Sequence, residues 1–118
     1  MTGDSLKEKD MNEISMKIIL NAGDARAIIS EALESIAKGN FNQANNKLIE
    51  AKKKITAAHS VQTDTIQGEA RGEKITFSLL FAHAQDTLMT IMSEWNTAKH
   101  LIQLFETFDK RLKKLEEK

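Results

Sequence analysis

The sequence contains no cysteine, no proline and no tyrosine, and only five glycines, five phenylalanines and one tryptophan in 118 residues. Without cysteine there is no disulfide framework, thiol catalysis or thiolate metal site, and a reducing compartment suits the chain. Without proline, long stretches run with no helix breaker. Charge of one sign is lacking too. The 17 Lys and Arg balance 17 Asp and Glu, so no dominant basic field points to nucleic acid or an acidic membrane surface. No stretch is apolar enough to span a bilayer, and residues 1–10, MTGDSLKEKD, hold no apolar run of the kind a secretory signal needs. One domain at residues 11–118, preceded by a mobile arm at 1–10, fits this length, with a cytoplasmic location. These absences favour an all-α protein.

The apolar pattern divides the chain into three helices. In the first, Ile14, Ile18, Ala22, Ala25, Ile29, Ala32 and Ile36 recur three or four residues apart, one continuous stripe. Asp10 or Asn12 is placed to cap it, with Glu13 in the box position. Gly39 is the expected stop, and Asn40 with Gln43 the cap of the second helix. Phe41, Ala44, Leu48, Ala51, Ile55 and Ala58 form its seam, continued by the polar Gln62. GEARG (68–72) makes the next turn. The spacing predicts a third helix from about Lys74 to about Leu115, with Phe77, Ala84, Ile91, Ala98, Phe105 and Leu112 in a seven-residue repeat. Phe81, Leu88, Trp95 and Ile102 interleave it. The short first turn implies an antiparallel three-helix bundle. The Lys52–Lys54 run reads as a solvated face.

Between Ile75 and Met92 the only charged residue is Asp86. A helix apolar nearly all round must be buried nearly all round, which two neighbours within one subunit do not achieve. A homo-oligomer with helix 3 innermost follows. Asp86 has no basic residue three or four positions away, so a buried carboxylate there needs a proton, a metal ion or a partner chain. His83 precedes it by three residues and shares its face. From the residues alone, His83 reads first as a satisfied core histidine, next as a catalytic or phosphorylated imidazole and last as a metal ligand. His100 is assigned no role, and His59, three residues before Gln62 and beside the seam, reads as either a support to the site or a structural residue. No Walker loop, GxGxxG, GxSxG or Glu-x-x-His motif is present.

The string FAHAQDTLM (81–89), with NAGDAR (21–26), GNFNQA (39–44), AHSVQT (58–63) and GEARGE (68–73) in the same order and spacing, resembles the lactose/cellobiose-type IIA component of the phosphoenolpyruvate-dependent sugar phosphotransferase system. The likeness covers roughly residues 13–108. It implies a phosphotransferase component in which His83 takes a phosphoryl group from the phosphohistidine of HPr. The group would pass to a cysteine of a IIB component, and a β-linked disaccharide of the cellobiose, chitobiose or lactose class would be phosphorylated during uptake through the membrane component IIC. It further implies a homotrimer with Asp86 at the axis, where it binds a divalent cation such as magnesium, and no organic cofactor. Apolar walls around His83 would keep water from a reactive phosphohistidine. Gln62 and Gln85 fit either packing or contact with phosphate oxygens. The sequence departs from the family pattern at Thr87, where a second histidine is common, and at Phe105, where a tyrosine is often seen. A trimeric helical adaptor, or a IIA-like regulator that transfers no phosphate, is the competing reading.

Overall fold

The computed structural model describes residues 3–117: three long helices, α1 (Gly3–Ala37), α2 (Phe41–Ala70) and α3 (Leu79–Glu116). They pack side by side into a rod of 76 × 22 × 18 Å. The all-α expectation holds: no strand occurs among the described residues. Ion pairs fix the pairing: Lys47 meets Glu31 at 2.9 Å and Lys54 meets Asp24 at 3.7 Å, so residue numbers fall along α1 as they rise along α2. Arg26 joins Glu94 across α1 and α3.

The core is a column of small and branched side chains. Ile18, Ala22, Ala25, Ile29 and Ala32 of α1 meet Ala44, Leu48, Ala51, Ile55 and Ala58 of α2 and Ala84, Leu88, Ile91, Ala98 and Ile102 of α3. Eight alanines in that set let three backbones approach closely, so the column is thin and long.

Each turn follows local chemistry. At the first, Gly39 has φ 76°, and its amide bonds Ile36 O while Asn40 N bonds Ser35 O, both at 2.9 Å. This left-handed closure satisfies the last carbonyls of α1 and suits a residue without a Cβ. Asn40 then caps α2: its Oδ1 accepts from Gln43 N at 3.0 Å and its Nδ2 donates to Gln43 Oε1 at 2.9 Å. At the second turn Glu73 N returns to Gly68 O at 3.1 Å. A Cβ on the buried Gly68 would meet the carboxylate tip of the flexible Glu73 side chain, whereas Gly72, at φ 98°, takes the left-handed conformation that suits a glycine in this turn.

Two boundaries differ from the sequence reading. α1 begins at Gly3, seven residues before the expected cap at Asp10; Met1 and Thr2 lie outside the described residues. α3 begins at Leu79 and not near Lys74. Glu73–Ser78 is non-helical, because Ile75 and Thr76 are β-branched and the Ser78 hydroxyl accepts from Phe81 N at 3.1 Å, closing the helix start five residues later. Phe77, expected in the seam, is 85% exposed.

The seven-residue repeat also leaves the core. Ala84, Ile91 and Ala98 are buried, but Phe105 and Leu112 are about half exposed. A strict heptad drifts by about 20° per repeat around a straight α-helix. By residue 105 the repeat has turned off the inner face, and Ile102, one turn earlier, is the buried residue there. Glu106, Asp109, Lys110 and Lys113 lie beside the α1–α2 turn at Gly39–Asn42, and the last turns of α3 continue past it.

Candidate functional site

His83 and Asp86 sit on the first two turns of α3, and both side chains are exposed. They point away from the inner face, which Ala84 and Leu88 fill. The expectation that this turn is buried nearly all round is not met within one chain: Leu79 is 76% exposed and Met89 57%. Among the described residues Asp86 forms no ion pair. The neighbouring hydroxyls are turned inward onto the helix. Thr87 Oγ1 donates to His83 O and Thr90 Oγ1 to Asp86 O, each at 2.8 Å. Thr87, at the position of the common second histidine, therefore carries a hydroxyl already held by the His83 carbonyl. The imidazole stays open to a partner.

The non-helical segment shapes the site's surroundings. Ile75, Thr76, Phe77 and Ser78 cross the end of the bundle and enclose a cavity of about 270 Å³ with Met11, Thr65, Ile66, Phe81, Ala82 and Gln85. Gln85 thus faces a cavity adjoining the His83 turn. Gln62 is buried, and its Oε1 has no hydrogen-bond partner, so the expected partner for this polar seam residue is not supplied within the described residues. Ser15 is fully buried close by in register, and its hydroxyl is committed to Met11 O at 2.6 Å. His59 is exposed and lies 3.4 Å from the Thr63 hydroxyl, and His100 is exposed; neither joins His83.

One chain offers no group of three or more His, Asp or Glu able to hold a metal ion among its described residues. Among the described residues no helix is long and apolar enough to cross a membrane.

Residues 13–106 match the model of the "PTS system, Lactose/Cellobiose specific IIA subunit" family. The chain belongs to this family. It is 39% identical over 98 residues to the lichenan-specific phosphotransferase enzyme IIA component of Bacillus subtilis, covering 83% of this chain and 89% of that one. It is also similar to the cellobiose-specific enzyme IIA of Bacillus anthracis, with TM-score 0.79 and 37% identity over 92% of this chain and 94% of that one. The IIA(chitobiose) of the Escherichia coli phosphotransferase system, solved in complex with HPr, gives TM-score 0.74 and 34% identity over 84% and 96% of the two chains. The resemblance read from FAHAQDTLM and its companion motifs is thereby confirmed. This protein is a sugar-specific IIA component of the phosphotransferase system, in the lactose/cellobiose family.

Two features of the site escaped the sequence reading. Ser78 as the helix start was legible, since a serine stands just before the apolar LLF run, but the longer apolar pattern from Ile75 outweighed it. The Arg26–Glu94 pair, with three contacts of 2.7–3.2 Å, joins the NAGDAR motif to α3 and had no local signal, because its partners are 68 residues apart.

Proposed function

We propose that this IIA protein is a phosphoryl carrier working in the cytoplasm, with His83 as the nucleophile. A ring nitrogen of His83 attacks the phosphorus of phosphohistidine on HPr; the new N–P bond forms as the donor N–P bond breaks, and the donor imidazole leaves. A cysteine thiolate of the IIB component then attacks the same phosphorus, forming an S–P bond and freeing His83. IIB passes the group to a β-linked disaccharide (cellobiose, chitobiose or lactose class) during uptake through IIC. The observation carrying this reading is an exposed imidazole on the first turns of α3, with no hydrogen bond to Asp86 or any other side chain among the described residues. Such a group is free to meet two partners in turn. Phosphoryl transfer asks mainly for position and charge stabilisation, and exposed Leu79 and Phe77 nearby supply apolar area for docking.

We further propose that the subunits, antiparallel three-helix bundles, assemble as a homotrimer with α3 at the axis and α1 and α2 outside. The apolar outer face of α3 supports this, since exposed apolar faces of this length seek cover. Asp86 from three copies would converge there. Like charges at short range need compensation, and a divalent cation such as magnesium, which takes carboxylate and water oxygens, would supply it.

The deciding experiment is incubation with phosphoenolpyruvate, enzyme I and HPr. An acid-labile, alkali-stable modification that disappears in His83→Ala supports the carrier. No labelling with a donor that phosphorylates another IIA protein of the family leaves the adaptor or non-transferring regulator as the function.

A further inference from the structure

The Lys52–Lys54 run is not a uniform solvated face. Lys54 reaches Asp24 and Lys47 reaches Glu31 and Glu50. Among the described residues Lys52, Lys53 and Lys99 have no carboxylate within ion-pair distance. Lys52 Nζ lies 4.4 Å from the centroid of the Trp95 ring, and Lys99 Nζ 5.7 Å. The indole itself is held, because its Nε1 donates to Leu48 O at 2.9 Å. Beside it an open, apolar-floored hollow is lined by Ile49, Lys52, Lys53, Thr56 and Trp95, and Ile49 is 59% exposed.

Three cations without counter-charges thus rim an indole and an exposed isoleucine, in a chain whose net charge is zero. Aromatic and aliphatic centres with charged rims are how docking surfaces are built. The four lining residues of α2 are spaced i, i+3, i+4 and i+7, a strip about 10 Å long, which suits two turns of a helix laid alongside. The strip lies about 18 Å along α3 from His83, and Trp95 is turned about 180° around α3 from Asp86.

We propose that this strip is a docking surface for an acidic amphipathic helix of another protein. One aliphatic side chain of that helix fills the hollow against Trp95 and Ile49, and carboxylates on its neighbouring turns pair with Lys52, Lys53 and Lys99. The contact is separate from the phosphoryl-bearing end and from the outer face of α3.

The protein has a single tryptophan and no tyrosine, so its emission reports on this site alone. The probe is a helical peptide of ~14 residues, about four turns, with two leucines four apart flanked by glutamates; its twin carries lysine at every glutamate. The acidic peptide should shift Trp95 emission saturably. Its affinity should fall roughly tenfold or more in Lys52→Glu and in Lys99→Glu, and fall again in ~0.5 M salt. HPr-dependent phosphorylation of both variants should match wild type. Equal responses to the two peptides, or an acidic-peptide affinity unchanged by both reversals, would overturn the proposal. So would loss of HPr-dependent phosphorylation in the reversed, still helical variants, which would make the strip part of the donor's docking site.

Discussion

The two faces of α3 carry similar amounts of apolar side chain and meet opposite fates. On the inner face Ala84, Leu88, Ile91, Ala98 and Ile102 are sealed by α1 and α2, none above 1% exposed. On the outer face Leu79, Met89, Leu104, Phe108 and Leu115 range from 48% to 76% exposed. The inner face makes the fold, since each fully buried aliphatic side chain contributes about 1.5–3 kcal/mol. The outer face contributes nothing to the single chain. It also bears His83 and Asp86, so the surface that lacks an internal partner is the one to which we assign the chemistry.

Substitutions on the two faces should therefore separate function, folding and assembly. The largest effect belongs to His83→Gln. Circular dichroism should be unchanged, because the imidazole is exposed and bonded to no side chain, whereas transfer from HPr should vanish; residual passage of phosphate to IIB would refute His83 as carrier. On the inner face, Leu88→Ala should cost about 2–5 kcal/mol in urea unfolding. Leu104→Ala, on the outer face, should cost the single subunit little, and an equal loss would show that the faces are not distinct. Leu104→Glu with Phe108→Glu should lower the sedimenting mass to that of one subunit while helicity persists. If the wild type already sediments as a monomer at micromolar concentration, the trimer is wrong.

Smaller effects sharpen the same contrast. Asp86→Leu should still assemble, with equal or higher stability, since replacing buried charge by packed apolar groups is often neutral or favourable. The divalent cation proposed at the axis should then be absent, and a Leu variant that retains a cation by metal analysis would remove Asp86 as its ligand. Smallest is Arg26→Ala. The Glu94 hydrogen bond holds the Arg26 guanidinium above its ordinary, already very high value. A raised basic group stabilises below its unfolded pKa and loses that contribution only as pH rises through the folded value, so the Arg26 term stays constant across neutral pH. The pair is about half exposed, so the loss should be ~0–1 kcal/mol. A larger loss in thermal unfolding would mean that this pair, and not the inner face, fixes α1 against α3.

How much was legible differs residue by residue. Gly39, Asn40 and Gln43 announced the first turn, because a left-handed stop and an Asn cap act within five residues. The α1 stripe from Ile18 to Ala32 is buried as its spacing required. The start of α3 was misread where apolar periodicity continued into Ile75–Phe77, a segment whose β-branched residues and following Ser78 cap favour extended backbone. Phe105 and Leu112 were misplaced for a different reason: a repeat of seven keeps step with a supercoiled seam and drifts around a straight helix.

The sequence by itself determined the three helices, the principal turn, the core positions nearest the middle of the rod and, through FAHAQDTLM and its companion motifs, the family. Those depend on interactions within one or two helical turns, or on residue order alone. Only the tertiary structure decided that Thr76 and Phe77 cross the bundle end beside the His83 turn and that Arg26 reaches Glu94. It also decided that Lys52 and Lys99 converge on Trp95. Lys99 alone reaches Trp95 along its own helix, four residues on. Arg26–Glu94 and Lys52–Trp95 join different helices, and the bundle-end crossing joins a loop to the helices. Their proximity is set by how three helices of unequal length slide into register, which no local pattern encodes.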